Sequence, residues 1–482
     1  MKQKIGLVSL GCPKNLVDSE VMLGLAKQAG HDITATAEGA DVVIVNTCAF
    51  IDRAKEESVN TILEMAELKK AGSFSRLVVT GCLAERYRDE LRAEIPEIDA
   101  VLGTNDVPAI VDAIDGRGSA AAPAAPLRLF RGGDRPPTGA AFRGPSARHR
   151  SARPDRPLPT YLYDADTPRV RTTPRHYAYI KVAEGCDYNC SFCIIPTLRG
   201  EYRSRPVESI VREARSLADQ GVRELLLISQ DTTFYGLDRG DRDALVRLLR
   251  ALDAVEDLRR VRLLYLYPTT LTDDVLDTMA NSRRVCRYVD LPLQHSAGEV
   301  LRRMRRPGHR ASYERLLARV RDRVPGVALR TTFIVGFPGE TDADFDDLCA
   351  FVETVKFDHV GVFTYSHEEG TAACDLDDDV PEAVKRERQA HLMRLQRALV
   401  ERRNAGRIGE QVSLIVDGPS AQHELVLQAR LDSQAPEIDP VVYLTDCDPS
   451  TYRPGDHVEA EIVEAREYDL VARPLPTKPS VC

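Results

Sequence analysis

"YAYIKVAEGCDYNCSFCIIP", residues 177–196, places an apolar run that reads as a strand directly before three cysteines, Cys186, Cys190 and Cys193, spaced C-x3-C-x2-C. Structural zinc and ordinary iron-sulfur clusters take four thiolate or imidazole ligands, so a trio that stops one short leaves a coordination position to something else. Three closely spaced thiolates can hold three irons of a 4Fe-4S cube and leave the fourth iron open to a substrate or cofactor. The alternative is a structural zinc ion completed by a distant residue such as His176, although zinc loops usually come as paired C-x2-C hooks.

Downstream of this stretch the pattern repeats. From about 177 to 370 six apolar runs, "YAYIKVA", "RELLLIS", "VRLLYLY", "CRYVDLPL", "VALRTTFIVG" and "HVGVFTY", alternate with helical patterns such as "SIVREARSLADQG". Six consecutive βα units predict an open or incomplete barrel, two units short of a closed one, with its chemistry at the carboxyl ends of the strands. The cysteine trio then sits in the loop after the first barrel strand. Gln230 and Asp231 end the second strand, and Gln294 and His295 the fourth, so all four are expected at the same mouth. His295 is read as a hydrogen-bonded wall residue, with a ligand or base as the alternative. Gly336 and Gly339 in "FIVGFPGET" let backbone approach a ligand closely, and the same run also suits a tight turn with Thr341 as N-cap. "RRMRRPG" is read as a solvated helix end, the alternative being a grip on an acidic group.

Upstream, "KIGLVSL", "DVVIVNT", "RLVVTG" and "DAVLG" alternate with helical patterns, which predicts a parallel sheet covered by helices. Cys12, Cys48 and Cys82 each lie just past the carboxyl end of a different strand. Loops at that edge lie side by side, so these three are expected to converge, again one ligand short of four. The alternative is that they are buried small hydrophobes. Asn15 and Asp18 could orient sulfurs by hydrogen bonds, but Asp18 or Ser19 is favoured as a helix N-cap.

Between these regions lies an Ala, Pro, Gly and Arg-rich segment that reads as a disordered linker, with a basic nucleic-acid-binding arm as the alternative. From Gly116 to His176 there are twelve Arg and four Asp, with no Lys or Glu. After the barrel, an Arg- and Leu-rich helix at about 381–405 leads into short strands that predict a small antiparallel barrel of the OB sort. Residues 407–475 carry five Arg against fourteen Asp and Glu, so the two charged regions have opposite sign.

A chain of 482 residues is too long for one ordinary core. No apolar run reaches bilayer length and "MKQKIGLVSLGCPKN" lacks signal-peptide character, so a cytoplasmic location and no membrane contact are expected. Eleven cysteines in a reducing compartment suggest metal or catalysis instead of disulfides, although Cys286, Cys349, Cys374, Cys447 and Cys482 stand alone.

The trio after the first strand of a partial barrel resembles the radical S-adenosylmethionine superfamily. That resemblance implies that the open iron chelates S-adenosylmethionine, which an electron from the reduced cluster cleaves to a 5'-deoxyadenosyl radical. The N-terminal unit, barrel and tail together resemble the methylthiotransferases. "LGCPKNLVDSE", "LISQDTTFYG", "LPLQHS" and "FIVGFPGET" look like their RimO-type branch, whereas the tRNA-modifying branch typically reads GCQMN where this chain has "GCPKN".

By that resemblance the fold is mixed α/β. An N-terminal domain (1–116) carries an auxiliary 4Fe-4S cluster on Cys12, Cys48 and Cys82. A linker (117–170) precedes a radical S-adenosylmethionine partial (βα)6 barrel (171–405) and a small terminal TRAM barrel (406–476). Cys186, Cys190 and Cys193 would hold the second cluster, and Gln230, Asp231, Gly336 and Gly339 would contact S-adenosylmethionine. The implied substrate is an aspartate β-carbon of small-subunit ribosomal protein S-twelve, with an electron donor as a further partner. The acidic terminal barrel suits a basic protein and makes direct nucleic-acid binding unexpected. The rivals are a tRNA adenosine methylthiotransferase and a non-catalytic iron-sulfur protein that binds the ribosome.

Overall fold

The computed structural model describes residues 2–37, 39–117, 158–420 and 425–476. It divides into two compact units, one of residues 1–171 with 184–203, the other of 172–183 with 204–482.

In the first unit, strands β1 (Lys4–Ser9), β2 (Asp32–Ile33), β3 (Val42–Thr47), β4 (Arg76–Gly81) and β5 (Ala100–Leu102) form one parallel sheet in the order β2-β1-β3-β4-β5. β3 and β4 are β-branched runs buried along their length, as a sheet covered on both faces requires. Helices α1 (Pro13–Gln28), α2 (Asp52–Lys70), α3 (Cys82–Arg86) and α4 (Arg88–Glu94) supply the crossovers, and α5 (Ile110–Asp115) follows the last strand. Val43, Val45, Leu77 and Val79 of the sheet pack with Ile62 and Met65 of α2.

Two parts of this unit depart from expectation. Residues 118–157 of the expected linker lie outside the described residues, but 158–171 do not behave as a linker. Tyr163 is buried, Val170 N donates to Glu20 O at 2.9 Å, and Arg169 Nε donates to the buried Glu20 carboxylate at 2.7 Å. Those contacts strap the segment onto α1. The other departure is the loop carrying Cys186, Cys190 and Cys193, which clusters with the N-terminal sheet. Short strands β7 (Ala183–Glu184) and β8 (Arg203–Ser204) mark where the chain enters and leaves, and α6 (Ile195–Arg199) lies between them. Ile194 and Leu198 belong to the core of the N-terminal sheet, and Thr104 Oγ1 donates to Leu198 O at 2.6 Å.

In the second unit, β6 (Tyr177–Lys181), β9 (Glu224–Ile228), β10 (Arg260–Leu263), β11 (Tyr288–Asp290), β12 (Ala328–Val335) and β13 (His359–Thr364) run parallel in sequence order. A single bridge, Val261 to Val285, joins the two three-stranded halves, which gives the open six-stranded barrel. Outside it lie α7 (Val207–Asp219), α8 (Ala244–Asp253), α9 (Asp273–Asn281), α10 (Gly298–Arg303), α11 (Arg310–Arg323) and α12 (Asp342–Val355), whose apolar faces join the strands in one core. Thr341 caps α12, accepting from Asp344 N at 3.2 Å, as expected. The long α13 (Glu382–Ala405) follows.

β14 (Gln411–Pro419), β15 (Leu427–Arg430), β16 (Val442–Leu444), β17 (His457–Arg466) and β18 (Asp469–Pro474) close into a barrel in the order β14-β15-β16-β18-β17. It is not wholly antiparallel, because β16 and β18 pair in parallel. This barrel docks on the amino ends of the large barrel's strands. Arg430 pairs with Glu224 at 2.9 Å and with Asp417 at 2.7 Å, Tyr177 and Tyr179 donate to Glu437, and Tyr288 donates to Asp439. His176, at the start of β6, has its Nε2 2.8 Å from Asp417, so the imidazole offered above for a zinc site is engaged in this docking network.

Candidate active site

Three strands of the N-terminal sheet, β1, β3 and β4, each deliver a cysteine in a different way. Cys12 is the N-cap residue of α1, Cys48 follows β3 directly, and Cys82 opens α3 straight after β4. The expected N-cap role of Asp18 or Ser19 is overturned. The helix begins at Pro13, whose fixed φ suits a first helical position, so Asp18 and Ser19 lie inside it.

The three loops touch. Gly11 has φ +89°, and a Cβ there would sit 2.7 Å from Cys48 Cβ and 3.0 Å from its Sγ. Gly81 has φ +95°, and a Cβ would lie 2.3 Å from Asn46 Oδ1. Only glycine allows both the left-handed turn and the close approach. Burial pushes the Cys82 thiol up to about 12, with Cys48 and Cys12 adding to the rise and Arg199 opposing it. Burial also raises the Cys48 thiol, and Cys12 adds to that rise.

Around these thiols lies a polar cluster. Asn15 Nδ2 donates to Leu10 O at 2.9 Å and to Thr47 O at 2.8 Å, which ties the loops after β1 and β3 together. Its Oδ1 is 3.9 Å from Cys82 Sγ and accepts from Arg199 Nη2 at 2.9 Å. Arg199 Nη2 also lies 3.6 Å from Cys82 Sγ, and Nη1 donates to Asp18 at 3.1 Å and Glu184 at 3.0 Å. Neither Arg199 nor Glu184 was singled out from sequence. The available signal was a lone Arg at the end of the apolar "CIIPTLRG".

The second trio is arranged by its own loop. Cys186 N donates to Gly200 O at 3.0 Å, Cys193 N to Cys190 O at 3.1 Å, and Tyr202 N to the Asp187 carboxylate at 2.8 Å. These bonds close the loop on itself, and its three cysteines are partly exposed.

The polar residues expected at the barrel mouth have separate tasks. Asp231 Oδ1 accepts from Thr233 N at 2.8 Å and Phe234 N at 3.2 Å, and Oδ2 from Thr270 Oγ1 at 3.1 Å. That carboxylate caps a turn. Gln230 precedes it, two residues past the end of β9, and is half-buried. His295 is fully buried, and its Nδ1 accepts from Ala297 N at 3.0 Å, as a wall residue would. Gly336 and Gly339 have φ +73° and +75°. Glu340 gathers the turn between them, accepting from Gly336 N at 2.6 Å and pairing with Arg388 at 2.9 Å. Burial raises Glu340 to about 7 and lowers His295 to about 4; for His295 burial outweighs the pull of Asp344 and Asp347 and keeps the imidazole uncharged at neutral pH, 3.7 Å from Glu340. "RRMRRPG" is not simply solvated: Arg306 is buried with its guanidinium 4.3 Å from the Tyr267 ring centre, and Arg303 donates to Gly339 O at 2.7 Å.

Comparison with known proteins follows the same division. Residues 4–103 match the uncharacterized protein family UPF0004, residues 180–352 the Radical SAM superfamily, and residues 408–475 the TRAM domain. The chain is 47% identical over 480 residues to the ribosomal protein uS12 methylthiotransferase RimO of Solibacter usitatus, covering 99% of this chain and 96% of that one. It is 49% identical to the protein of the same name from Koribacter versatilis, covering 98% and 96%. Among solved structures, the radical S-adenosylmethionine methyltransferase TsrM from Kitasatospora setae superposes with a TM-score of 0.53 at 19% identity, over 76% of this chain and 72% of that one, which is a likeness of fold. With N-terminal, radical SAM and TRAM segments in this order and identity at this level over nearly its whole length, the chain belongs to the RimO family of radical SAM methylthiotransferases.

Proposed function

We propose that this enzyme transfers a methylthio group to the β-carbon of an aspartate in ribosomal protein uS12, using two 4Fe-4S clusters and S-adenosylmethionine. Cys12, Cys48 and Cys82 would hold the auxiliary cluster, and Cys186, Cys190 and Cys193 the other. The donor set suits clusters better than single ions. Each trio offers thiolates alone, and a cube takes each thiolate on a different iron.

One observation carries the reading: the segment with Cys186, Cys190 and Cys193 is packed into the same compact unit as Cys12, Cys48 and Cys82. A carbon radical can be quenched only by a group held close to it, so both trios have to serve one substrate side chain. When bound, the cluster and S-adenosylmethionine supply the radical that removes hydrogen from an unactivated C–H bond, which acid-base groups cannot do. The chain's own residues bind and shield. Asn15 and Arg199 hold the auxiliary loops, and Gln230, Gly336 and Gly339 would contact S-adenosylmethionine.

Charge favours a basic protein substrate over tRNA. Asp417 and Asp439 of the small barrel are spent on docking, but Asp446, Asp448, Asp456, Glu459, Glu464 and Glu467 are exposed. Such a face repels phosphate and attracts the basic surface of a ribosomal protein. No described helix is long and apolar enough to cross a membrane.

Anaerobic reconstitution should give about eight irons per chain and reductive cleavage of S-adenosylmethionine, with a methylthio mass gain on uS12. Four or fewer irons with no cleavage would sink the two-cluster enzyme. Methylthio-adenosine formed in tRNA with uS12 unchanged would replace the substrate.

A further inference from the structure

Arg199 is an expensive residue for its surroundings. Its side chain is 2% exposed, and a buried guanidinium is tolerated only where pairing offsets desolvation. Two carboxylates from different segments, Asp18 on α1 and Glu184 before the cysteine loop, take Nη1. Nη2 is directed instead at Asn15 Oδ1, 2.9 Å away, and at the sulfur of Cys82, 3.6 Å away. A lysine, a point charge on a flexible stem, could not span these partners at once, whereas a planar fork can. A purely structural ion pair would not need the sulfur. The residue also ends the helix that starts two residues after Cys193, so one side chain ties the second trio's segment to the sheet edge of the first.

We propose that Arg199 is a positioning residue that donates an N–H···S hydrogen bond to the Cys82 thiolate and raises the reduction potential of the cluster bound there. This rests on the reading that Cys12, Cys48 and Cys82 hold a 4Fe-4S cluster. Reduction adds negative charge to a cluster, so a fixed cation and an N–H donor at one of its sulfurs favour the reduced state. The same fork fixes where Cys82 stands relative to the loop of Cys186, Cys190 and Cys193.

The test uses the full chain carrying Cys186→Ala, Cys190→Ala and Cys193→Ala, so that only the auxiliary cluster reports in a potentiometric titration followed by electron paramagnetic resonance. Adding Arg199→Gln should move the midpoint to more negative potential by at least a tenfold change in the reduction equilibrium, about 59 mV for one electron. Arg199→Lys, which keeps the charge and loses the fork, should move it less in the same direction. Both variants holding iron with the parent's midpoint would overturn the proposal. Should the Gln variant fail to load iron, the Lys variant decides by the same criterion. A Lys variant that also fails to load assigns Arg199 to packing and overturns the tuning role. A parent chain that binds no iron condemns the cluster assignment itself.

Discussion

Gly24 lies in the body of α1, where alanine would ordinarily be favoured by about 1 kcal/mol. Here a Cβ would fall 2.2 Å from Pro168 O, a backbone atom of the 158–171 strap that cannot swing away as a side chain could. Gly24→Ala is therefore expected to destabilise the protein by about 1–3 kcal/mol, seen as a lower urea midpoint. A higher midpoint would mean that the strap does not pack there. Asn15 and Asp18 teach the same lesson at this scale. As letters after a cysteine they fit a sulfur contact or, for Asp18, the favoured helix cap. Only the presence of Arg199 from far along the chain selects among these, giving Asn15 Oδ1 a cation and Asp18 an ion pair. Asp231, just past the end of a barrel strand, accepts from Thr233 and Thr270, which fixes the turn that follows.

At the scale of elements, Ile194, Leu198 and Arg199 tie the segment 184–203 to the N-terminal sheet. Leu198 is 1% exposed in the core of the N-terminal sheet, and its carbonyl receives the Thr104 hydroxyl. Leu198→Ala should cost about 2–5 kcal/mol through the cavity it leaves. The loss should concentrate in this segment, so hydrogen exchange at residues 186–200 is expected to accelerate while that of the barrel strands is unchanged. Uniform acceleration across the chain would show that the segment is not a separate element of the N-terminal unit. The alternation of strands and helices was readable from hydrophobic periodicity in both sheets, and so were the positions of Cys12, Cys48 and Cys82 just past strand ends. The partnership of the loop was not. "IIPTLRG" has the same local preferences whether its apolar residues cover one sheet or another, and the choice is made by cavities that local sequence does not describe.

For the whole molecule, the small terminal barrel is fastened at the amino ends of the large barrel's strands by charges that have left water. Glu224 is fully buried between Arg262 at 2.9 Å and Arg430 at 2.9 Å, and although burial opposes it, these arginines hold its carboxyl down at about 2 from the usual 4.5. A depressed carboxyl contributes stability that is complete above its unfolded value and is lost as pH falls through its folded one. The window is thus from about 4.5 down to about 2, and the contribution lost is on the order of 3 kcal/mol. Glu224→Gln should cost about 3–5 kcal/mol at pH 7, read as a lower urea midpoint, because Arg262 loses its carboxylate and Arg430 keeps only Asp417, and it should flatten the fall in stability between pH 4.5 and 2. An acid limb as steep as the parent's would remove Glu224 from the docking network.

The sequence by itself determined the order of sheet domain, barrel and terminal barrel, the spacing of both cysteine trios and the family they indicate, because periodicity, turn residues and ligand spacing are local properties. It also located an acidic terminal barrel. Tertiary structure alone decided that Cys186, Cys190 and Cys193 belong with the N-terminal sheet, that residues 158–171 strap α1, that Arg199 reaches Cys82, and that Asp417, Glu437 and Asp439 face the large barrel. Each of these joins residues far apart in the chain. Which of many equally polar or apolar candidates meet depends on the space left when the whole core has packed, and no short stretch of sequence records it.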